Sequence, residues 1–145
     1  MKAEILVTGQ PAQGQALVLT APISFWGGVN PKTGQIADVR HPQHGISISG
    51  KVLCLPGTIG SSSAAAVLLE LVTAGLAPAA IILNEPDAIL LLGLIVAQEM
   101  GHQTPMALRL DRGEFGNLAD RELAVCADGS VLISPLAGQK GFSKD

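Results

Sequence analysis

Charged and aromatic residues are scarce in this chain of 145 residues, at 14% and 3% of the sequence. The nine Lys and Arg residues are scattered and the net charge is −3. The chain therefore has no basic footprint for nucleic acid. Apolar residues make up 48% of it. Because a soluble domain normally carries more charge on its surface than this composition allows, we expect a partner chain to cover part of the apolar surface.

Cysteines and long apolar runs are also few. Cys54 and Cys126 are the two cysteines, and both lie in apolar stretches typical of strands. We therefore expect reduced thiols that serve packing in a cytoplasmic protein, and no disulfide framework. The most apolar segment, residues 88–100, has 13 residues, whereas a membrane span needs about 20. The opening MKAEILVTGQ has only a three-residue apolar run, which is too short for the apolar region of a signal peptide.

The first third of the chain differs from the rest. Residues 1–50 are rich in Gly, Pro, Gln and Thr, and they contain the short β-like runs AEILVTG and ALVLT. They contain no helix-length periodic segment. The connection from Pro22 to Gly50 is too long to be a simple linker between two elements of a compact domain.

From Lys51 onward the pattern becomes regular. The apolar strands KVLCLP, AAIILNE and PMALRLD alternate with helices predicted over 61–74 and 87–100, and each helix is followed by a glycine. This alternation predicts a parallel β-α-β-α-β core. RELAVCADGSVLISP predicts a hairpin. The prediction is therefore one α/β domain over residues 1–145, with a β-rich N-terminal layer added to the core and residues 136–145 as a flexible tail.

Three consecutive serines, Ser61 to Ser63, follow Gly60 at the junction of a strand and a helix. One interpretation is structural, since serine is favoured at helix N-caps and a cap needs only one. The other is functional, because the carboxyl edge of a parallel sheet binds ligands and a helix N-terminus favours negative charge. GTIGSSS lacks the lysine of a phosphate-binding loop and the second glycine of a hydrolase elbow. A serine acting as a base needs further stabilisation of its alkoxide, and a partner subunit is the simplest source.

Residues 21–45, APISFWGGVNPKTGQIADVRHPQHG, contain the only tryptophan, Trp26. They form either a long surface loop that Trp26 pins to the core, or a lid or interface loop. His41 and His44 could form half of a metal site, but a surface loop explains them better.

These residues resemble one known family. The strings PISFWGGVNPKTGQIADVRHPQHG, GKVLCLPGTIGSSSAAAVLLELVTAGLAPAAIIL and EPDAILLLGLIVAQE look like the small subunit, or small domain, of the aconitase X family, over residues 3 to 135. The resemblance implies a swivelling β/β/α domain like the C-terminal domain of aconitase. It also implies a dehydratase whose large subunit carries an iron–sulfur cluster or an iron ion, with no metal or other cofactor bound by this chain.

Carried over by position, the resemblance makes Ser61 the catalytic base, and Ser62 and Ser63 its support or contacts to the substrate. The arginine that follows the two serines in aconitases is replaced here by Ser63, so a carboxylate clamp must lie elsewhere. Many relatives have Asp where this chain has Asn30, and glycine after the serines where it has alanine. Neither difference removes Ser61.

The family includes bacterial enzymes that dehydrate cis-3-hydroxy-L-proline to Δ1-pyrroline-2-carboxylate and archaeal enzymes that dehydrate mevalonate 5-phosphate. The archaeal small subunits tend to have G-S-T, so the G-S-S-S of this chain favours the hydroxyproline type. A mevalonate 5-phosphate dehydratase and a non-catalytic swivelling module are the alternatives. The implied partners are the large subunit and a small hydroxy acid, with no nucleic acid and no membrane.

Overall fold

The computed structural model describes residues 1–134, and the tail expected over 136–145 lies outside the described residues. The strands are β1 Glu4–Val7, β2 Ala12–Val18, β3 Val52–Leu55, β4 Ala80–Leu83, β5 Met106–Arg109, β6 Glu122–Val125 and β7 Val131–Ile133. The helices are α1 Phe25–Gly28, α2 Ala64–Ala74, α3 Ala88–Glu99 and α4 Phe115–Leu118, the last preceded by a 3₁₀ turn at Arg112–Glu114. No helix in this part of the chain is long and apolar enough to cross a bilayer.

All seven strands belong to one sheet, in the order β1-β5-β4-β3-β2-β6-β7. β2, β3, β4 and β5 are parallel, and β1, β6 and β7 pair antiparallel to their neighbours. The predicted β3-α2-β4-α3-β5 core and C-terminal hairpin are thus confirmed. The N-terminal strands join the same sheet on either side of this core. β2 pairs with β6 through residues 12–15 and with β3 through residues 16–18, so it passes from one partner to the other and curls the sheet.

Two apolar layers cover the sheet, one on each face, and they bury its central strands on both sides. Leu53 and Leu55 face α2, α3 and the loop after β2. Val52 and Cys54 face the other layer, which contains α4 and the C-terminal hairpin. Burial raises the pKa of the Cys54 thiol to about 12, so this thiol stays neutral at physiological pH. Packing is therefore the role that the structure supports for Cys54.

The helix ends follow the local sequence. α2 ends at Ala74, and the next residue, Gly75, has a left-handed φ of 72° that suits glycine. The N–H of Gly75 closes the last turn onto the carbonyls of Leu71 and Val72. α3 begins after Asp87, whose side chain accepts a hydrogen bond from the N–H of Leu90. Sequence reasoning did not predict the 3₁₀ turn and α4, because neither is long enough to show a helical period.

Candidate functional site

The three serines lie in the loop that joins β3 to α2, at the carboxyl edge of the four parallel strands. Ser61 and Ser63 are half-buried and Ser62 is exposed. We refer to the end of the sheet that carries this loop as the serine edge. In an open α/β sheet, loops at this edge are the ones that bind ligands.

The prediction that a helix begins at residue 61 is wrong by three residues, because α2 begins at Ala64. Ser63 occupies the N-cap position, with φ −89° and ψ −4°, and its side chain makes no capping hydrogen bond. The backbone N–H of Ser63 instead donates to Ser61 Oγ at 3.2 Å. The Ser61 hydroxyl therefore closes a turn before the helix. If Ser61 acted as a base, its hydroxyl oxygen would carry the negative charge, and this is the oxygen that accepts the hydrogen bond. The chemical role of Ser61 stays a prediction.

A carboxylate holds the serine loop to the next helix. Thr58 Oγ1 donates to Asp87 Oδ2 at 2.7 Å, and the other oxygen of Asp87 caps α3 by accepting from Leu90 N at 3.1 Å. On the opposite side, the backbone N–H of Ile59 donates to the carbonyl of Ile23 at 3.0 Å. The stretch that leads to Ser61 is thus fixed from both sides. Sequence reasoning missed this clamp, whose only signal was that polar residues follow the ends of two buried strands.

Replacing Thr58 with valine is expected to lower the free energy of unfolding by about 1 kcal/mol, since it deletes the bond to Asp87. Asp87→Ala removes the helix cap as well, so it should cost about 1–2 kcal/mol more. Urea denaturation measures both values. Thr73→Val is the matched control, because the Thr73 hydroxyl is exposed and bonds only within its own helix. If Thr58→Val and Thr73→Val have the same small effect, Thr58 does not hold the loop.

Asn84 connects the ends of three strands at the same edge. Its side-chain oxygen accepts from the backbone N–H of Arg112 at 2.8 Å, and its carbonyl accepts from Arg109 Nε at 3.1 Å. Its backbone N–H donates to the carbonyl of Leu55. The Arg109 guanidinium thereby reaches the serine edge from β5, although the sequence analysis did not single out this arginine.

The loop over residues 21–45 is folded against the core, but Trp26 does not pin it there. Phe25 is 1% exposed and lies in the apolar layer together with Ile23, Val29 and Ile36, whereas Trp26 is 61% exposed. The chain turns sharply at this point, since Trp26 has a ψ of 112° and Gly27 a φ of 79°. The interpretation in which Trp26 anchors a surface loop is therefore wrong.

His41 is a structural residue. The N–H of Gln43 donates to Nδ1 at 3.0 Å, and Nε2 lies 3.1 Å from the carbonyl of Ala21. Both ring nitrogens are therefore engaged by backbone, and His44 is exposed. Within residues 1–134 no three His, Cys, Asp or Glu side chains are grouped so that they could hold a metal ion. The described residues do not fit a resident iron site.

This fold and serine loop define a mixed α/β domain with its candidate site at the carboxyl edge of a parallel sheet. Residues 1–134 match the aconitase X swivel domain family, and the chain belongs to that family.

Three relatives show how this domain occurs elsewhere. The chain is 46% identical to the cis-3-hydroxy-L-proline dehydratase of Pseudomonas aeruginosa over 88% of its own length, but it spans only 22% of that protein. It is 42% identical to the phosphomevalonate dehydratase small subunit of Methanothermobacter thermautotrophicus, over 80% of this chain and 86% of that one. The crystal structure of Thermococcus kodakaraensis aconitase X in its holo-form matches with a TM-score of 0.77 and 30% identity, covering 93% of this chain and 99% of that one.

Proposed function

We propose that this chain is the swivelling component of an aconitase X-type dehydratase and that it supplies the catalytic base, Ser61. The observation that carries the proposal is the position of Ser61 in a swivel domain of this family, at the exposed carboxyl edge of the sheet. In this proposal a large component supplies the rest of the active site and the iron–sulfur cluster or iron ion. That group supplies Lewis acidity toward the hydroxyl that leaves.

The part of this chain in the reaction is a proton transfer. Ser61 Oγ, as the alkoxide, takes the proton from the carbon next to the one that bears the hydroxyl. The electron pair of that C–H bond forms the new double bond as the C–O bond breaks. The hydroxyl leaves as hydroxide and becomes water with the proton that Ser61 then returns, which regenerates the base. The N–H of Ser63 donates to the same Oγ, so it stabilises the negative charge that Ser61 needs as a base. The N-terminus of α2 adds a partial positive charge. Ser62 and Ser63 contact the substrate, and closure of the domain excludes water.

Exposed apolar side chains support a large partner. The outer face of α3 carries Ile89, Leu92, Ile95 and Val96, each at least 39% exposed. A helix that is apolar on all sides is normally covered in the assembled protein. The two free thiols, Cys54 and Cys126, are consistent with a reducing cytoplasm, where we place the enzyme.

The proposed substrate is cis-3-hydroxy-L-proline, which is dehydrated to Δ1-pyrroline-2-carboxylate. The Pseudomonas relative of that name and the G-S-S-S string support it. Mevalonate 5-phosphate is the second candidate, because the archaeal relative is itself a small subunit that this chain covers over 86% of its length.

The test is to assemble the chain with its cognate large component and measure turnover of both compounds. We expect cis-3-hydroxy-L-proline to be consumed at a rate at least about 10-fold above that of mevalonate 5-phosphate. The reverse preference would keep the reaction class and overturn the substrate. An assembled complex that holds its iron group and dehydrates neither compound would refute both proposed substrates.

A further inference from the structure

Trp26 is an exposed aromatic residue that the proposed chemistry does not use. It belongs to the kinked turn α1, and the buried side chain of Phe25 anchors that turn in the core. A parallel bridge between Ile23 and Thr58 joins the segment just before α1 to the loop that carries the serines. Trp26 is therefore held on a fixed backbone close to the serine edge.

Trp26 also lines a groove of about 440 Å³ between α1 and α2. The walls are mostly apolar, and they include Val29, Pro31, Ala66 and Val67. Among residues 1–134, Glu70 is the one charged residue that lines the groove. Ala66 and Val67 belong to the first turn of α2, immediately after the serines, so the groove opens next to the candidate site.

A second large apolar side chain is exposed at the same edge. Ile59 is 57% exposed and precedes Ser61 by two residues. Exposed apolar groups close to a site are typical of surfaces that a partner covers, and tryptophan is among the residues that most often dominate binding energy.

We propose that the Trp26 groove is where the large component of the enzyme docks, through an apolar segment with a basic side chain opposite Glu70. This inference rests on the proposed function. Two arguments select this occupant. Under the proposed function, Ser61 must face the rest of the active site. The matching segment of the Pseudomonas relative is only 22% of its length, so most of that enzyme lies outside the swivel domain. A groove beside the serine loop is the surface that such a component reaches when Ser61 enters the site.

The first test uses the fact that Trp26 is the only tryptophan of the chain. The chain is labelled with 5-fluorotryptophan, which gives one ¹⁹F resonance, and unlabelled cognate large component is added. We expect the resonance to move until the two components are equimolar, and its H₂O/D₂O solvent shift to fall by more than half. A complex that forms, as judged by sedimentation, while the resonance keeps its position and solvent shift would overturn the inference.

The second test uses variants at exposed positions. Trp26→Ala is expected to weaken binding of the large component by about 10-fold or more, with kcat retained once the large component is saturating. Met100→Ala is the matched control, because Met100 is 58% exposed and follows α3 at the opposite end of the sheet. It should change affinity by less than about 2-fold. Equal effects of the two variants would contradict the proposal.

Glu70→Gln tests the charge pairing. It should weaken binding and reduce the salt dependence of the affinity, since a charged pair at a rim is screened by ions. If the salt dependence is unchanged, no basic side chain of the large component pairs with Glu70, and that part of the proposal is wrong. If the wild-type complex forms and dehydrates its substrate while Trp26→Ala binds normally, only the docking inference fails. If no wild-type complex forms, the proposed function fails and the docking site fails with it.

Discussion

Ser61→Ala is expected to lower kcat of the assembled dehydratase by about 10²–10⁴-fold, the range for loss of a general base. Alanine removes the oxygen that takes the proton. Within residues 1–134 no Asp, Glu, His, Lys or Arg side chain that could replace it as the base forms a hydrogen bond with Ser61. The fold should persist, because the change deletes one hydrogen bond, worth about 0.5–1.5 kcal/mol. Steady-state kinetics with saturating large component measures the first effect, and urea denaturation measures the second.

The neighbouring serines are the controls for Ser61. Ser63→Ala keeps the backbone N–H that donates to Ser61 Oγ, and Ser62 is exposed. Since both are proposed to contact the substrate, their alanine variants should change KM more than kcat. If the activity of Ser61→Ala stays within about 3-fold of the wild type, the Ser61 hydroxyl only closes the turn before α2, and the proposed mechanism is wrong.

Gly93→Ala is expected to lower the free energy of unfolding by about 1–3 kcal/mol, although alanine is the better helix former. A Cβ atom at Gly93 would lie 2.5 Å from the carbonyl oxygen of Ala65 in α2. Because that atom is backbone, α2 and α3 must move apart to accommodate the methyl group. Ala65 is two residues after Ser63, so the shift should also displace Ser61 and lower kcat. Urea denaturation and kinetics on the same preparation measure both effects.

Gly116→Ala is the matched control for Gly93→Ala. Gly116 lies in α4, and a Cβ there would meet nothing within 4 Å. This variant should change stability by less than about 0.5 kcal/mol, or raise it slightly through helix propensity. If Gly93→Ala is as mild as Gly116→Ala, the close crossing of α2 and α3 does not constrain the serine loop.

The sequence alone predicted the regular part of the fold. Strands β3, β4 and β5 are apolar on both faces, and their alternation with α2 and α3 indicates parallel pairing covered by helices. Gly75 and Gly101 mark the helix ends locally, because both take a left-handed φ that glycine tolerates best. The resemblance to the family was also visible in the sequence alone, because the segments around Trp26 and Ser61 that carry it are short runs of consecutive residues.

Tertiary structure alone decided how the candidate site is held. Thr58 and Asp87 are 29 residues apart and Ile23 and Ile59 are 36 apart, so no sequence period connects the members of either pair. Trp26 looked like an anchor because large aromatic side chains are usually buried. At this turn the neighbouring Phe25 is the aromatic side chain that is buried, and Trp26 is left exposed. Composition and period report which residues avoid water, but which of two adjacent apolar residues is buried depends on contacts made by distant parts of the chain.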